Sequence, residues 1–339
     1  MNTSKQRIAV PTSRRQVLRL GGAAAALSLS PAIARAQAVK KIRFAHSAPA
    51  AHGWHLWAEQ FKKSIEAKTG GKMEVQIFPN AQMGTERDTA QAVRNGALEM
   101  GAIGVALMNW VPEMSVTDAP FLWASRAQAH RAIEGAFGDN LRARCLDKGF
   151  VLTGWTDLGF RSMTNNKKPI NAAKDMADLK MRVPNSKSYI AMMQALGSST
   201  VAVDLSELYL ALRQGVADGQ ETPTAVTKSN KFYEVQKYIS KTNHVLTIAY
   251  TVMNPDFFKG LSADEQKAVA AAGKDADTWL RGNIEKEEEA VFGFLKDQGM
   301  VVNLTPDVES FRAATTPVIE KFPDLFLPEL VKIARATVA

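Results

Sequence analysis

Two arginines have a sequence context in which they could bind an anion. Arg161 lies within residues 159–165 (GFRSMTN), and Arg182 lies within residues 179–185 (LKMRVPN), between apolar neighbours and just before Pro184. A guanidinium group presents a planar set of N–H donors that matches a carboxylate in two-point geometry. The ordinary alternative for each is a surface arginine or one half of a structural ion pair. Both side chains are therefore candidate carboxylate ligands.

Motifs of the common enzyme classes are absent from the sequence. It has no GxxxxGK[ST] phosphate loop, no GxGxxG after a strand, no HExxH and no GxSxG. His52 and His55 form the only close histidine pair; with no third ligand nearby, we interpret them as helix-end or surface residues. Cys145, the single cysteine, cannot form an internal disulfide, and its apolar neighbours predict a packed helix. We expect no cofactor, no metal and no enzymatic activity.

The first 36 residues predict an export signal. Arg14 and Arg15 end a basic stretch, an apolar run follows at residues 20–29, and residues 34–36 form a small-x-small cleavage motif that ends at Ala36. The paired arginines favour the twin-arginine route over the ordinary secretory route. Both routes lead out of the cytoplasm, so the mature chain is expected in the periplasm.

The positive charge of the chain belongs mainly to this signal. The sequence has 42 basic and 34 acidic residues, and residues 1–36 contain six of the basic ones and no acid. The mature part therefore has 36 basic and 34 acidic residues, a net charge of +2. Nucleic-acid binding requires clustered positive charge, so we expect no nucleic-acid partner.

Short apolar strands alternate with helical patterns along the mature chain. Strands are expected at residues 42–46, 73–78, 98–106, 151–155, 180–183 and 245–253. Helices are expected at residues 54–69, 86–95, 189–196 and 262–298. The last helix begins with the capping-box pair Ser262 and Glu265, and its acidic run at residues 285–289 is expected to be a solvated face. This alternation predicts an α/β architecture with parallel strand pairs.

The motifs around the arginines resemble one known family. Residues 159–165, 179–185 and 203–223 (VDLSELYLALRQGVADGQETP) are similar to the central motifs of the solute-binding proteins of TRAP transporters, the tripartite periplasmic carriers typified by C4-dicarboxylate and sialic-acid uptake. Earlier and later segments also match, so the resemblance covers essentially the whole mature chain. The ordered set of motifs is specific, although any one of them is weak.

The resemblance implies a fold and a domain division. The fold is α/β, a two-lobed periplasmic binding protein of type II-like form, with hinge strands and one long helix that spans both lobes. Lobe I is expected to comprise residues 37–158 plus about 248–287. Lobe II is expected to comprise residues 159–247 plus about 288–339. Three prolines interrupt the C-terminal segment, which favours a monomer: Pro317, Pro323 and Pro328.

The resemblance also implies a role. The lobes close on a small organic acid, and the closed form delivers it to integral-membrane TRAP subunits for uptake driven by an ion gradient. Arg182 is expected as the main carboxylate ligand and Arg161 as a second contact. The other expected ligand-binding residues are Thr222, Glu86, Ser47, Asn185, Asn243 and Leu205. A periplasmic sensory protein, and a periplasmic enzyme, are the alternatives.

Departures from the family pattern bear on the ligand. Thr222 stands where many members have an asparagine, and Leu205 stands where some have an aromatic residue. The apolar residues 104–107 (GVAL) argue against a sialic acid. Glu86 could accept a hydrogen bond from a ligand hydroxyl. The expected ligand is a C4-dicarboxylate, a hydroxy or keto acid, a sugar acid or an aromatic acid, with a modest apolar body favoured.

Overall fold

The computed structural model describes residues 39–337, so the predicted export signal lies outside the described residues. Within this part the chain forms ten strands: β1 (Lys40–Ala45), β2 (Met73–Phe78), β3 (Met100–Ile103), β4 (Val151–Asn165), β5 (Lys180–Val183), β6 (Ser199–Ala202), β7 (Gly219–Pro223), β8 (Tyr238–Ser240), β9 (Leu246–Met253) and β10 (Val301–Asn303). The twelve α-helices are α1 (Gly53–Lys68), α2 (Glu86–Arg94), α3 (Arg126–Glu134), α4 (Ala136–Asp147), α5 (Lys187–Ala195), α6 (Leu205–Arg213), α7 (Thr224–Ser229), α8 (Pro255–Lys259), α9 (Ala263–Asp297), α10 (Val308–Thr315), α11 (Pro317–Lys321) and α12 (Pro328–Ala336). Short 3₁₀ helices lie at Val105–Asn109, Pro112–Asp118, Ala173–Met176 and Phe232–Glu234.

All ten strands belong to one continuous hydrogen-bonded array. The order along the main path is β2-β1-β3-β9-β4-β7-β5-β6, and β8 links β10 to β4. The strands β1, β2 and β3 pair in parallel, as do β5, β6 and β7, whereas β9 and β4 run antiparallel to their neighbours. The predicted α/β architecture with parallel strand pairs is confirmed. Its two parallel groups are joined through the long central strands β4 and β9.

One predicted strand is shorter than the sequence pattern indicates. The expected strand at residues 98–106 covers only Met100–Ile103, and a 3₁₀ helix begins at Val105. The backbone N–H of Gly104 donates to Glu86 Oε2 at 2.8 Å instead of to a neighbouring strand. This side-chain acceptor ends the ladder and turns the chain. The apolar composition of the segment did not reveal the competing contact.

Strand β4 changes partner at the point where Arg161 lies. It pairs with β9 up to Phe160 and with β7 from Arg161 onward. A register shift precedes this exchange, and Gly159 adopts φ +98°, a conformation that glycine accommodates without strain. The sequence analysis predicted only residues 151–155 of this fifteen-residue strand. The bulge places Arg161 between the two parallel groups.

The long helix α9 confirms the prediction for residues 262–298. Its capping box is present, with Ser262 N donating to Glu265 Oε2 at 2.7 Å and Glu265 N donating to Ser262 Oγ at 3.3 Å. Most of the acidic run is exposed, but Glu288 accepts hydrogen bonds from Arg126 Nη2 and Phe160 N, at 2.6 and 3.2 Å. The prediction of a wholly solvated acidic face is therefore wrong at this residue. No helix within residues 39–337 combines the length and apolarity needed to cross a bilayer.

Cys145 lies in the interior, on helix α4, which confirms the predicted packed helix. Burial raises the pKa of its thiol to about 12. A thiol that stays protonated at neutral pH is a poor nucleophile. The side chain therefore acts as a small apolar residue in the core.

The final helix packs away from the part of the chain that precedes it. Helix α12 contacts α3 and α4, and Gln128 Nε2 donates to the carbonyl of Thr337 at 2.9 Å. The sequence-based division places residues 288–339 in the lobe opposite to these helices. The packing of α12 shows that the C-terminal segment reaches the other group of elements.

A buried carboxylate joins α9 to the core. Asp277 accepts from Trp57 Nε1 at 2.7 Å and from the backbone N–H of Trp155 at 3.0 Å. Burial raises the pKa of Asp277 to about 7; the two donors, Arg281 and Arg142 oppose the shift without cancelling it. The Asp277 carboxyl of the folded protein therefore stays protonated up to about pH 7, whereas in the unfolded chain it loses its proton near pH 4.

This proton makes Asp277 favour folding at low pH. Its stabilising contribution is complete below the unfolded pKa of about 4 and is lost as pH rises through about 7. We expect Asp277→Asn, which keeps the Oδ1 acceptor and stays neutral, to raise the free energy of unfolding relative to wild type by up to about 4 kcal/mol at pH 8, because three pKa units correspond to about 1.4 kcal/mol each. Urea unfolding at pH 4.5, 6 and 8 measures this difference. If the difference in free energy of unfolding between the variant and wild type does not increase with pH, the raised pKa of Asp277 is contradicted.

Candidate functional site

A cavity lies where the two parallel strand groups meet, and both predicted arginines line it. Its enclosed volume is about 50 Å³, and the space that includes its open mouth is about 430 Å³. Its walls come from the start of α1 and α2, the 3₁₀ helix after β3, the middle of β4, the end of β5, β7 and β9. The lining residues are His52, Trp54, Glu86, Gly104, Val105, Leu158, Arg161, Arg182, Pro184, Leu205, Thr222, Pro223, Val226, Thr247 and Ala249.

Arg182 is a buried cation with no carboxylate in contact. Its side chain is 3% exposed, and its Nε donates to the carbonyl of Val203 at 2.8 Å. Neither Nη atom has a hydrogen-bond partner within residues 39–337. Burial lowers the pKa of Arg182 to about 10, so the group keeps its charge at neutral pH. The free edge of the guanidinium presents donors that suit an anion in the cavity.

Arg161 already has a carboxylate partner. Its Nη2 donates to Glu221 Oε1 at 2.8 Å, its Nε contacts the other carboxylate oxygen, and its Nη1 donates to Thr247 Oγ1 at 2.9 Å. His244 Nε2 lies 3.2 Å from Glu221 Oε2. Burial opposes both charges, yet each holds the other ionised: the pKa of Arg161 is raised and that of Glu221 is lowered. The pair brings little net charge to the cavity wall.

Glu86 contributes an acceptor near the opposite wall. The residue lies at the first position of α2, half-buried, and its Oε2 accepts from Gly104 N at 2.8 Å. Burial raises the pKa of its carboxyl to about 7, and the hydrogen bond from Gly104 and the charge of Arg182 only partly offset the effect. Near neutral pH the group exchanges readily between its charged and neutral forms.

The other cavity residues are mostly apolar or already hydrogen-bonded. Thr222 Oγ1 lies 3.2 Å from Thr227 Oγ1, which leaves up to two further hydrogen bonds available to its hydroxyl. Leu205 lines the cavity at the start of α6. Apolar lining residues complete the wall: Val105, Leu158, Val226 and Ala249. Of the expected apolar segment at residues 104–107, Gly104 and Val105 line the cavity.

Three of the eight predicted site residues do not line the cavity. Ser47 is buried with its hydroxyl unpartnered within the described residues. Asn185 is exposed, and its carbonyl accepts from Asn109 Nδ2 at 3.2 Å. Asn243 is half-buried in the loop before β9, with φ +46°. The structure brings together the other five, which are Arg161, Arg182, Glu86, Thr222 and Leu205.

Sequence reasoning missed the partner of Arg161 and two aromatic cavity residues. Glu221 is adjacent to Thr222 in the motif, but only the pairing of β4 with β7 shows that it faces Arg161. His52 caps helix α1 by accepting from Trp54 N at 3.1 Å, which confirms the helix-end interpretation. Its side chain and that of Trp54 also reach the cavity. Within residues 39–337 no cluster of three or more His, Cys, Asp or Glu residues could hold a metal.

A second depression, between β4 and α9, lacks these features. It contains neither Arg161 nor Arg182. Its basic side chains include Arg142, which pairs with Asp139 at 2.8 Å, and Arg281, which pairs with Glu134 at 2.6 Å. The cavity around Arg182 is therefore the better candidate for ligand binding.

The combination of fold, cleft and buried arginine matches a known class of proteins. Residues 44–324 match the family described as bacterial extracellular solute-binding protein, family 7. The chain belongs to this family. The family comprises solute-binding proteins of TRAP type, so the predicted recognition and two-lobed α/β fold are confirmed, as is the prediction that the chain is not an enzyme.

Similar family members are known in both sequence and structure. A solute-binding protein of Verminephrobacter eiseniae is 35% identical over 269 residues, which cover 79% of this chain and 80% of that protein. A TRAP periplasmic solute-binding protein of a Polaromonas species, solved with D-erythronate, is 32% identical with a TM-score of 0.86, covering 88% of this chain and 99% of the other. One from Sulfurospirillum deleyianum, solved with succinate, is 27% identical with a TM-score of 0.83, covering 89% and 100%.

Proposed function

We propose that the cavity binds a small organic acid and that Arg182 binds its carboxylate. The observation that carries this proposal is the buried guanidinium of Arg182, whose Nη atoms have no acceptor among the described residues. Burying a cation without a partner costs free energy because the charge loses its hydration, and an anionic ligand offsets this cost by pairing with it. Arg161 supplies one remaining N–H and Thr222 one hydroxyl to the same ligand. The Polaromonas and Sulfurospirillum relatives, solved with carboxylates, support this assignment.

The cavity is expected to open and close between two lobes. We propose lobe I as residues 37–158 plus about 248–287, and lobe II as residues 159–247 plus about 288–339, with α12 docked on lobe I. Two contacts join these parts beside the cavity: Tyr189 Oη donates to Asp118 Oδ2 at 2.8 Å, and Asn109 Nδ2 donates to the carbonyl of Asn185. The buried arginines and these contacts correspond to a closed form. Opening would expose Arg182 to water and admit the ligand.

Uptake of the acid requires further partners and export. We propose that the closed form delivers the acid to integral-membrane TRAP subunits for ion-gradient-driven uptake.

We also propose that a twin-arginine signal directs the chain to the periplasm, with cleavage near Ala36, and that the mature protein is a monomer. Relatives named as periplasmic support the location. A mature N-terminus far from Gln37, or export that survives replacement of Arg14 and Arg15 by lysine, would contradict the signal assignment.

A ligand screen tests the binding function. A ligand that binds only the folded protein raises its melting temperature, because binding adds RT ln(1 + [L]/Kd) to the free energy of unfolding. We expect stabilisation by a class of small carboxylates, and none by their amides or by neutral sugars at the same concentration. Stabilisation only by neutral or cationic compounds would overturn the proposal.

A further inference from the structure

Two ring N–H groups of cavity-lining residues have no acceptor within residues 39–337. Trp54 Nε1 and His52 Nε2 are buried without a hydrogen-bond partner, and their residues are 2% and 1% exposed. Both side chains line the cavity together with Arg182 and Glu86. Buried donors in folded proteins are nearly always satisfied. Two unsatisfied donors in one binding cavity therefore indicate acceptors that the ligand supplies.

The protonation of His52 follows from its role at the helix end. Its Nδ1 accepts the backbone N–H of Trp54 at 3.1 Å, so this nitrogen carries no proton. Burial lowers the pKa of His52 to about 3, and the nearby His46 adds to the effect, so the ring is neutral. The single ring proton must then lie on Nε2. His52 is therefore a ring N–H donor on a cavity-lining side chain, as Trp54 is by its chemistry.

An acceptor lies close to these donors. A methyl group placed on Gly104 would lie 3.1 Å from Trp54 Cζ2 and 3.2 Å from Glu86 Oε2. The indole of Trp54 and the carboxylate of Glu86 thus flank the same backbone position. The His52 ring lies beside the indole, with centroids 4.7 Å apart. Two donors and one carboxylate acceptor therefore form a polar group at one wall of a mostly apolar cavity.

We propose that His52, Trp54 and Glu86 together recognise a hydroxyl group and that the ligand is a short hydroxy acid. The inference rests on the proposed function, in which Arg182 binds the carboxylate. A hydroxyl oxygen accepts from the N–H donors while its proton is donated to the carboxylate of Glu86. A second carboxylate on the ligand would satisfy the donors but would lie against Glu86. An alkyl group would leave all three groups without a partner.

Matched ligands and variants test this recognition. The ligands are butanoate, its 2-, 3- and 4-hydroxy derivatives, D-erythronate and succinate, with Kd measured by calorimetry at pH 8. The variants are His52→Asn, which keeps an N-cap acceptor but removes the ring donor, and Trp54→Phe, which removes the indole N–H. His55→Asn, on the same helix but outside the cavity, is the control. Melting temperatures without ligand confirm that each variant is folded.

We expect wild type to prefer at least one hydroxylated acid over butanoate. Each cavity variant should reduce that preference about tenfold, with little change for butanoate, whereas His55→Asn should keep it. If acids bind but both variants weaken butanoate and the hydroxy acids equally, or if succinate binds most tightly, the hydroxyl assignment is wrong and the carboxylate function stands. If no acid binds wild type, the proposed function itself fails.

Discussion

Replacement of Arg182 by alanine should weaken binding of the preferred acid by at least about 100-fold. Truncating one partner of a buried charge pair costs about 2–5 kcal/mol or more, mostly because the other charge stays desolvated and unpaired. Among the described residues that line the cavity, the only other cation is Arg161, whose charge is already balanced by Glu221. The ligand carboxylate would therefore have no free cation to meet. Calorimetric titration of both proteins measures the loss.

The same substitution should leave the ligand-free protein at least as stable as wild type. Arg182 makes one hydrogen bond, to the carbonyl of Val203, and burial disfavours its charge. Removing an uncompensated buried charge relieves a cost. A residue that is important for binding but not for folding has this combination of effects, which separates a binding role from a structural one.

Two comparison variants make the result for Arg182 specific. Arg182→Lys keeps a positive charge but lacks the planar pair of donors, so its Kd should lie between those of wild type and Arg182→Ala. Arg213→Ala removes an exposed arginine on α6, outside the cavity, and should not change Kd. A Kd for Arg182→Ala within threefold of wild type would show that another group binds the carboxylate.

The sequence was most informative where a single short segment determines a secondary-structure element and also contains a site residue. Met73–Phe78 and Lys180–Val183 were predicted with their observed bounds, because turns or a proline flank each strand. Arg182 was found in this way, since it lies on such a strand. Glu86 and Thr222 came from the family resemblance, and both line the cavity.

The sequence was least informative where the site depends on contacts between distant segments. Arg161 and Glu221 are 60 residues apart, and only the bulge in β4 and its exchange of partners bring them together. The early end of β3 depends on the contact of Gly104 with Glu86, 18 residues away. The donor role of His52 depends on which ring nitrogen accepts the cap hydrogen bond. None of these contacts leaves a periodic pattern in the sequence.

Removal of the Glu221 carboxylate should have the largest effect on stability. Glu221→Ala leaves the guanidinium of Arg161 buried without a contacting carboxylate, and also removes the partner of His244 Nε2. Breaking a buried ion pair from one side costs about 3–5 kcal/mol. We expect the free energy of unfolding to fall by about this amount at pH 7.5. Urea unfolding followed by both circular dichroism and tryptophan fluorescence measures it, and coincident curves support a two-state treatment.

A double replacement separates the cost of an isolated charge from the net value of the pair. Arg161→Met together with Glu221→Met removes both charges, and should cost less than Glu221→Ala alone because no unpaired ion remains. Glu289→Ala removes a carboxylate from an exposed pair with Lys241 and should change stability far less. If the double variant is less stable than Glu221→Ala, the ion pair itself stabilises the pairing of β4 with β7. If it is more stable than Glu221→Ala, Glu221 serves mainly to neutralise Arg161, and Arg182 is then the cavity-lining cation without a contacting carboxylate among the described residues.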